Sequence, residues 1–240
     1  MLTLGTARTI SIFTYHRVAP PRRGSFERYT VTPERFRRQL GLLGTLGWES
    51  VTLDDVAAFV AGRPGATLPK RPYVLTIDDG YRELLEHAMP ALERAGARAT
   101  IYAVPGHRED RWIDWADLPN LELLRPDELR DLARRGVAIG SHTLTHPNLT
   151  DLDDAALERE VAGARAALRE STGTDVAHFC YPFGEWNERA RAAVVRAGYA
   201  TSVTTERGKV RAGADAHALP RLTVGKNMGL VRFAKRVLIG

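Results

Sequence analysis

The chain has 240 residues, 44 % of them hydrophobic, and a formal net charge of +5. That length suits a single buried core, and no apolar run approaches the roughly 20 residues a membrane-spanning helix needs. One cysteine, Cys180, excludes an intrachain disulfide, and the scattered placement of the 30 arginines among Glu and Asp predicts solvated helix faces and no nucleic-acid partner.

Short apolar runs alternate with amphipathic stretches. A strand is predicted over 10–15. Thr32 followed by Pro33 marks a helix start, and that helix is predicted over 33–46. A short strand over 48–51 leads to a helix over 53–61, capped by Thr52. The run 73–77 reads as a buried strand, 83–95 as a helix closed by Gly96, and 98–104 as the next strand. A helix over 127–135 ends at Gly136 and passes into a strand over 137–140. A long helix follows over 153–171, then a strand over 178–181, a helix over 188–197 and a strand over 199–203.

This βαβα rhythm with short connections predicts an α/β fold, and seven or so units favour a closed barrel over an open sheet. No repeat or linker divides the chain, so 1–240 is read as one domain. The longest irregular stretch, 105–126, carries Trp112 and Trp115, and long loops in compact domains often serve function. Residues 1–8 lack a basic segment followed by an apolar one, so a cytoplasmic protein is expected, with an exported protein stripped of its leader as the alternative.

Parallel α/β folds gather their sites at the C-terminal ends of the strands. Three polar clusters stand there. Thr76-Ile77-Asp78-Asp79-Gly80 follows the strand 73–77. An Asp-Gly pair is an ordinary turn former, but two adjacent carboxylates at the end of a buried strand need compensation, which a metal ion would supply. Ser141-His142-Thr143-Leu144-Thr145-His146 follows the strand 137–140. Histidines at i and i+4 lie on one face of a helical turn, the spacing with which two imidazoles grip one metal. Phe179-Cys180-Tyr181-Pro182-Phe183-Gly184 ends a third strand and can present backbone N–H groups to a ligand. Two His and one carboxylate make a three-ligand site with a position left for water, and the second carboxylate remains as a general base.

These motifs resemble those of the polysaccharide deacetylases, carbohydrate esterase family four or the NodB-homology group. The family's T-F-D-D-G is matched by Thr76 to Gly80 with Ile in place of Phe, and its H-[ST]-x-x-H by His142 to His146. The resemblance implies a distorted (β/α) barrel of about seven parallel strands. It implies Asp78 as catalytic base, and Asp79, His142 and His146 as ligands of one divalent ion, zinc with cobalt or nickel as alternatives. Cys180 stands where the third motif usually carries an Arg, and Arg221 is the candidate to replace it. The family's usual fourth motif and its C-terminal acid histidine are not recognisable.

A subgroup with permuted motif order, the poly-N-acetylglucosamine deacetylases, is the closer likeness. Its third motif reads F-x-Y-P-[FY]-G, matched by Phe179 to Gly184, and its acid histidine ends the first strand in a Tyr-His context, matched by Tyr15-His16. His16 is therefore the implied general acid, expected to face the cleft across the substrate space from Asp78. Tyr181 and Phe183 are candidates for substrate contact and the oxyanion site, and Trp112, Trp115 and Trp186 for stacking on a sugar ring. The implied reaction is hydrolysis of an N-acetyl group from an amino sugar, glycan or glycan precursor. An N-acetylated small metabolite as substrate, or a non-catalytic carbohydrate-binding protein on the same fold, are the alternatives. Oligomeric state is not legible from the sequence.

Overall fold

A computed structural model describes residues 9–21, 25–63, 67–106 and 121–239. Trp112 and Trp115 lie outside these residues. Eleven strands are present among them: β1 (Thr9–Tyr15), β2 (Arg17–Val18), β3 (Thr30–Val31), β4 (Glu49–Ser50), β5 (Pro72–Ile77), β6 (Ala99–Ala103), β7 (Ala138–Ser141), β8 (His178–Cys180), β9 (Thr201–Arg207), β10 (Val210–Arg211) and β11 (Leu219–Thr223). The helices are α1 (Pro33–Thr45), α2 (Leu53–Val60), α3 (Leu84–His87), α4 (Met89–Ala95), α5 (Pro126–Arg134), α6 (Asp154–Thr172), α7 (Glu188–Arg196) and α8 (Leu230–Ile239). None of these helices is long and apolar enough to cross a membrane.

Seven strands close into a parallel barrel in the order β1-β11-β9-β8-β7-β6-β5, and β5 returns to β1. The expected (β/α) barrel is therefore the observed fold. Its membership differs by one strand from the sequence reading. The run 48–51 forms β4, which only flanks β5 outside the ring, while β11 supplies the seventh stave. The predicted helix 83–95 is two pieces, α3 and α4, broken at Ala88. Pro90 has no N–H to offer the carbonyl four residues back, which interrupts the helical ladder there.

Both faces of each barrel strand are buried, which is why the strands read as near-continuous apolar runs. Alternation then sorts the side chains. Phe13, Tyr15, Leu75, Ile77, Ile101 and Phe179 face outward to the helices, whereas Ile12, Val74, Tyr102, Cys180, Val203 and Leu219 form a separate inner cluster. That inner cluster runs on into Val51, Leu53, Val56 and Val60, so α2 stoppers the end of the barrel from which the strands start. Thr52 caps α2 through a reciprocal bond with Asp55. On the outside, Phe233 of α8 packs on Phe13 with ring centres 5.2 Å apart. The Tyr15 hydroxyl donates to Gln39 of α1 at 3.0 Å, and the Gln39 amide donates to the Met228 carbonyl at 2.9 Å, so the buried polar groups of this seam are paired.

Gly140 shows how tightly the interior is filled just below the polar rim. It pairs with Tyr102 across β6 and β7, and a Cβ placed on it would lie 2.5 Å from the Tyr102 ring and 3.1 Å from the His178 carbonyl oxygen. Gly140→Ala is expected to cost about 1–3 kcal/mol through overpacking. Urea unfolding followed by far-UV circular dichroism checks this, and an unchanged midpoint would show that the ring has room to yield.

Candidate active site

Parallel register decides which side chains meet at the open end of the barrel. Tyr15 pairs with Ile77 at the last step of the β1–β5 ladder, and the Asp78 N–H adds one more bond to the Tyr15 carbonyl at 2.8 Å. The next residue on each strand is therefore a neighbour of the other: His16 Nε2 lies 4.0 Å from Asp78 Oδ2. This corrects the expectation that His16 sits across the substrate space. Its ring does line the cleft, but beside Asp78.

The chain turns sharply after Asp78. Asp79 and Gly80 both adopt left-handed backbone, with φ of 72° and 71°, and this turns the Asp79 carboxylate toward the two histidines. His142 leaves β7 with its N–H bonded to the Ala103 carbonyl at 2.9 Å. His142 and His146 do converge, although through no helical turn. Thr143 and His146 are left-handed, with φ of 66° and 61°, and the Thr143 hydroxyl accepts from the His146 N–H at 2.8 Å. The carboxylate of Glu160, on α6, holds this loop. It accepts from the Leu144 and Thr145 N–H groups at 2.9 and 2.8 Å, and from the Thr145 hydroxyl at 2.7 Å. The sequence reading missed Glu160, which stands fourteen residues beyond His146 on another element.

Three donor atoms face one point. His142 Nε2 and His146 Nε2 are 3.2 Å apart, and Asp79 Oδ1 is 3.5 Å from the first and 3.9 Å from the second. Tetrahedral bonds of about 2.0–2.1 Å would put zinc ligands on edges of roughly 3.3–3.4 Å, so the trio fits such an ion. His142 is set for that role by its other nitrogen, Nδ1, which lies 2.8 Å from the Cys180 carbonyl oxygen. Donating that N–H leaves Nε2 with a free lone pair. Asp78, His142 and Cys180 form a second cluster of ligand atoms. That one already faces the Arg221 guanidinium, which would repel a cation.

Arg221 comes from β11, the strand the sequence reading did not find. Its Nη1 and Nη2 donate to Asp78 Oδ1 and Oδ2, both at 2.8 Å, in a two-pronged fork. Its remaining donors reach the Thr204 carbonyl at 2.8 Å, the Thr76 hydroxyl at 3.1 Å and Cys180 Sγ at 3.2 Å. Arg221 and Asp78 are only 1 % and 2 % exposed. Burial by itself would push the Asp78 carboxyl up. The guanidinium beside it overrides that effect and holds Asp78 below the usual carboxylate range. The sequence signal was an Arg flanked by Leu219 and Leu222, a cation in an apolar run.

The third cluster forms one wall. Phe183 is left-handed, with φ of 60°, and its carbonyl accepts from the Thr205 hydroxyl at 3.3 Å. Its ring is 53 % exposed and stands edge-on to His146 with centres 4.8 Å apart. Tyr181 is fully buried, its hydroxyl donating to the His217 carbonyl at 3.0 Å, and Trp186 stacks on it. Tyr181 is among the residues that line the cleft, whereas His217 is not. The cleft has a volume of about 320 Å³.

A family model described as polysaccharide deacetylase matches residues 65–202. YxkH of Bacillus subtilis (strain 168), which carries the name polysaccharide deacetylase, is 25 % identical over 226 residues, covering 91 % of this chain and 72 % of its own. The poly-beta-1,6-N-acetyl-D-glucosamine N-deacetylase of Escherichia coli (strain K12) is 26 % identical over 250 residues, covering 87 % of this chain. The match spans only 36 % of that relative's length. The Streptococcus pyogenes deacetylase PplD, solved in complex with acetate, shares the fold with a TM-score of 0.82 at 22 % identity, covering 97 % of this chain and 99 % of its own.

The fork makes a prediction about stability. Asp78 titrates below its ordinary value in the folded chain, so its contribution is present above the unfolded-state pKa of about 3.9 and fades as pH falls through the lower folded value. Arg221→Met removes the main opposition to burial, with only His16 and His142 left to favour the anion, so the Asp78 pKa rises. That variant is expected to lose about 3–5 kcal/mol near pH 7, the usual cost of stranding a buried charge, and to recover part of it on acidification as Asp78 takes up a proton. Denaturant unfolding at two pH values checks both parts. An equal penalty at each pH would mean that some other group carries the compensation.

Proposed function

This chain belongs to the polysaccharide deacetylase family, and we propose that it hydrolyses the N-acetyl group of an amino sugar or glycan, releasing acetate, with a divalent ion held by Asp79, His142 and His146. Zinc suits the donor set best, and cobalt or nickel would serve. The observation that carries this reading is the contrast between two adjacent carboxylates. Asp78 is forked by Arg221, whereas Asp79 faces two imidazole nitrogens. Environments that separate two neighbouring acids in this way give each its own task.

A divalent ion at the trio would supply Lewis acidity, lowering the pKa of a bound water toward about 7 and polarising a carbonyl. Asp78, kept ionised by Arg221, takes the proton of the attacking water. The water oxygen bonds to the acetyl carbon, and charge developing on the carbonyl oxygen is met by the Phe183 backbone N–H. His16 gives its proton to the amine nitrogen as the carbon–nitrogen bond breaks. Acetate and a free amine result. The short distance between His16 and Asp78 supports this division. The attacking oxygen and the leaving nitrogen are bonded to one carbon, so base and acid must converge on two atoms a single bond angle apart. A separation of 4.0 Å suits that convergence. The names of the Bacillus subtilis and Escherichia coli relatives support a glycan as the substrate.

Acetate release from a panel of N-acetylated sugar oligomers and small N-acetylated metabolites, with and without added divalent metal, tests the reading. Release from the oligomers, lost on chelation and restored by zinc, cobalt or nickel, is the expected result. No release from any of them in metal-loaded protein would sink it.

Three substitutions separate the roles. Asp78→Asn is expected to abolish turnover while one metal ion per chain stays bound, and Asp79→Asn to weaken metal binding. His16→Ala should cut the rate by roughly 10²–10⁴-fold with metal content unchanged, the usual scale for losing acid–base help. Elemental analysis beside steady-state kinetics reads all three. Equal metal loss in both aspartate variants, or a near-normal rate without His16, would overturn the assignment concerned.

A further inference from the structure

One charged side chain of the cleft wall is unused by the proposed chemistry. Arg28 lines the same cleft as His16 and Asp78 and is exposed to solvent. Its guanidinium carbon lies 4.6 Å from the centre of the Tyr29 ring, and that ring lies 4.8 Å from the His16 ring. Arg28, Tyr29 and His16 thus form a stack that leads from the mouth of the cleft down to Asp78. A guanidinium over an aromatic face is held in place without losing its outward-pointing donors.

The position is built. The Arg28 carbonyl accepts from the Lys226 N–H at 3.0 Å, and Gly225 packs so closely that a Cβ there would lie 2.3 Å from the same oxygen. The nearest acid in sequence, Glu27, is taken by Lys226 at 2.5 Å. Among the described residues, no ion pair joins Arg28 to a carboxylate. Nor do the two cleft carboxylates need it, since Asp78 is matched by Arg221 and Asp79 faces the histidines. A divalent ion at the trio would add to the positive excess of the cleft. An oriented cation at the mouth of a cleft with its own acids already matched is an attractor for an anionic ligand.

We propose that Arg28 is an anion subsite one ring beyond the reacting acetamide, and that the preferred substrate is an N-acetylated amino sugar carrying a carboxylate or a phosphate on the same or the adjoining unit. This rests on the deacetylase reading for the identity of the sugar, whereas the anion site rests on Arg28 itself.

The test uses a neutral N-acetylglucosamine trimer, the same trimer oxidised to a terminal carboxylate, and the trimer bearing a 6-phosphate. Binding is read by quenching of intrinsic tyrosine and tryptophan emission, and turnover by acetate release, for the unaltered protein, Arg28→Gln and Arg28→Lys. One anionic trimer should bind about fivefold more tightly than the neutral one, the scale of a partly exposed charge pair, and that preference should shrink at about 1 M salt. The ratio should collapse in Arg28→Gln and be largely kept in Arg28→Lys. Which anion shows the effect identifies carboxylate or phosphate. Equal binding of all three trimers, or a preference that survives Arg28→Gln, overturns the anion site. Arg28-dependent binding of an anionic trimer without acetate release from any trimer would uphold the anion site and sink the deacetylase reading.

Discussion

Arg221 reaches from β11 across the mouth of the barrel and grips Asp78 with both terminal nitrogens at 2.8 Å. Through Thr204, Thr76 and Cys180 it also touches β9, β5 and β8, so one side chain links four of the seven staves. An ion pair this deep is a poor source of net stability, because desolvating both charges consumes most of what their attraction returns. Its value is positional. The fork fixes the plane of the carboxylate and keeps it ionised although it is buried. The rest of the rim is arranged around that constraint. Cys180 fits where a larger side chain would displace the guanidinium, and its backbone carbonyl orients His142. The guanidinium that compensates Asp78 and the imidazole proposed to ligate a metal through Nε2 thus both touch Cys180.

Strain is concentrated at the same rim. Four non-glycine residues among those described have left-handed backbone: Asp79, Thr143, His146 and Phe183. Two are in the proposed metal trio, one supports it, and one presents the proposed oxyanion donor. Such conformations cost on the order of 1–3 kcal/mol each and persist only where the surroundings over-determine them. The surroundings do so here. Glu160 takes two N–H groups and a hydroxyl of the histidine loop, Thr143 takes a third N–H, and Thr205 holds the Phe183 peptide. In a regular strand Asp79 would point to the face opposite Asp78, whereas the left-handed turn lets both carboxylates line one cleft. The barrel supplies rigid points of departure, and the strained turns aim what leaves them.

How far the sequence revealed this follows from the kind of signal each part leaves. Six barrel strands were legible because both of their faces are apolar. The seventh, β11, was hidden because Pro220 and the buried Arg221 break its apolar run, and the cation that hid the strand is the one that grips Asp78. The reverse error at 48–51 has the same origin, since a short apolar stretch looks alike inside or outside the ring. Asp79, His142 and His146 meet as their motifs suggested, but the i, i+4 spacing misled on mechanism: a loop braced by Glu160 brings the rings together. No pattern in 142–146 could name a carboxylate on another helix. Thr143 and His146, being β-branched and bulky, gave no hint of left-handed backbone.

The placement of His16 turns on a property of closed barrels that linear reading lacks. In an open sheet with β1 at one edge and its sequence neighbours beyond it, a residue ending β1 could lie far from one ending β5. Closure makes β1 and β5 hydrogen-bonded neighbours, and parallel pairing at Tyr15 and Ile77 then forces the next residues together. The meeting of His16 and Asp78 is thus a consequence of register, as fixed as any contact in the ladder. A one-residue slip of β1 would send His16 to the opposite face of its strand, away from Asp78. It would also bury Tyr15 inward and break its bond to Gln39, so the outer core guards the register on which the inner chemistry depends. In this fold the proposed acid and base are paired by the same apolar packing that closes the barrel, and no loop has to bring them together.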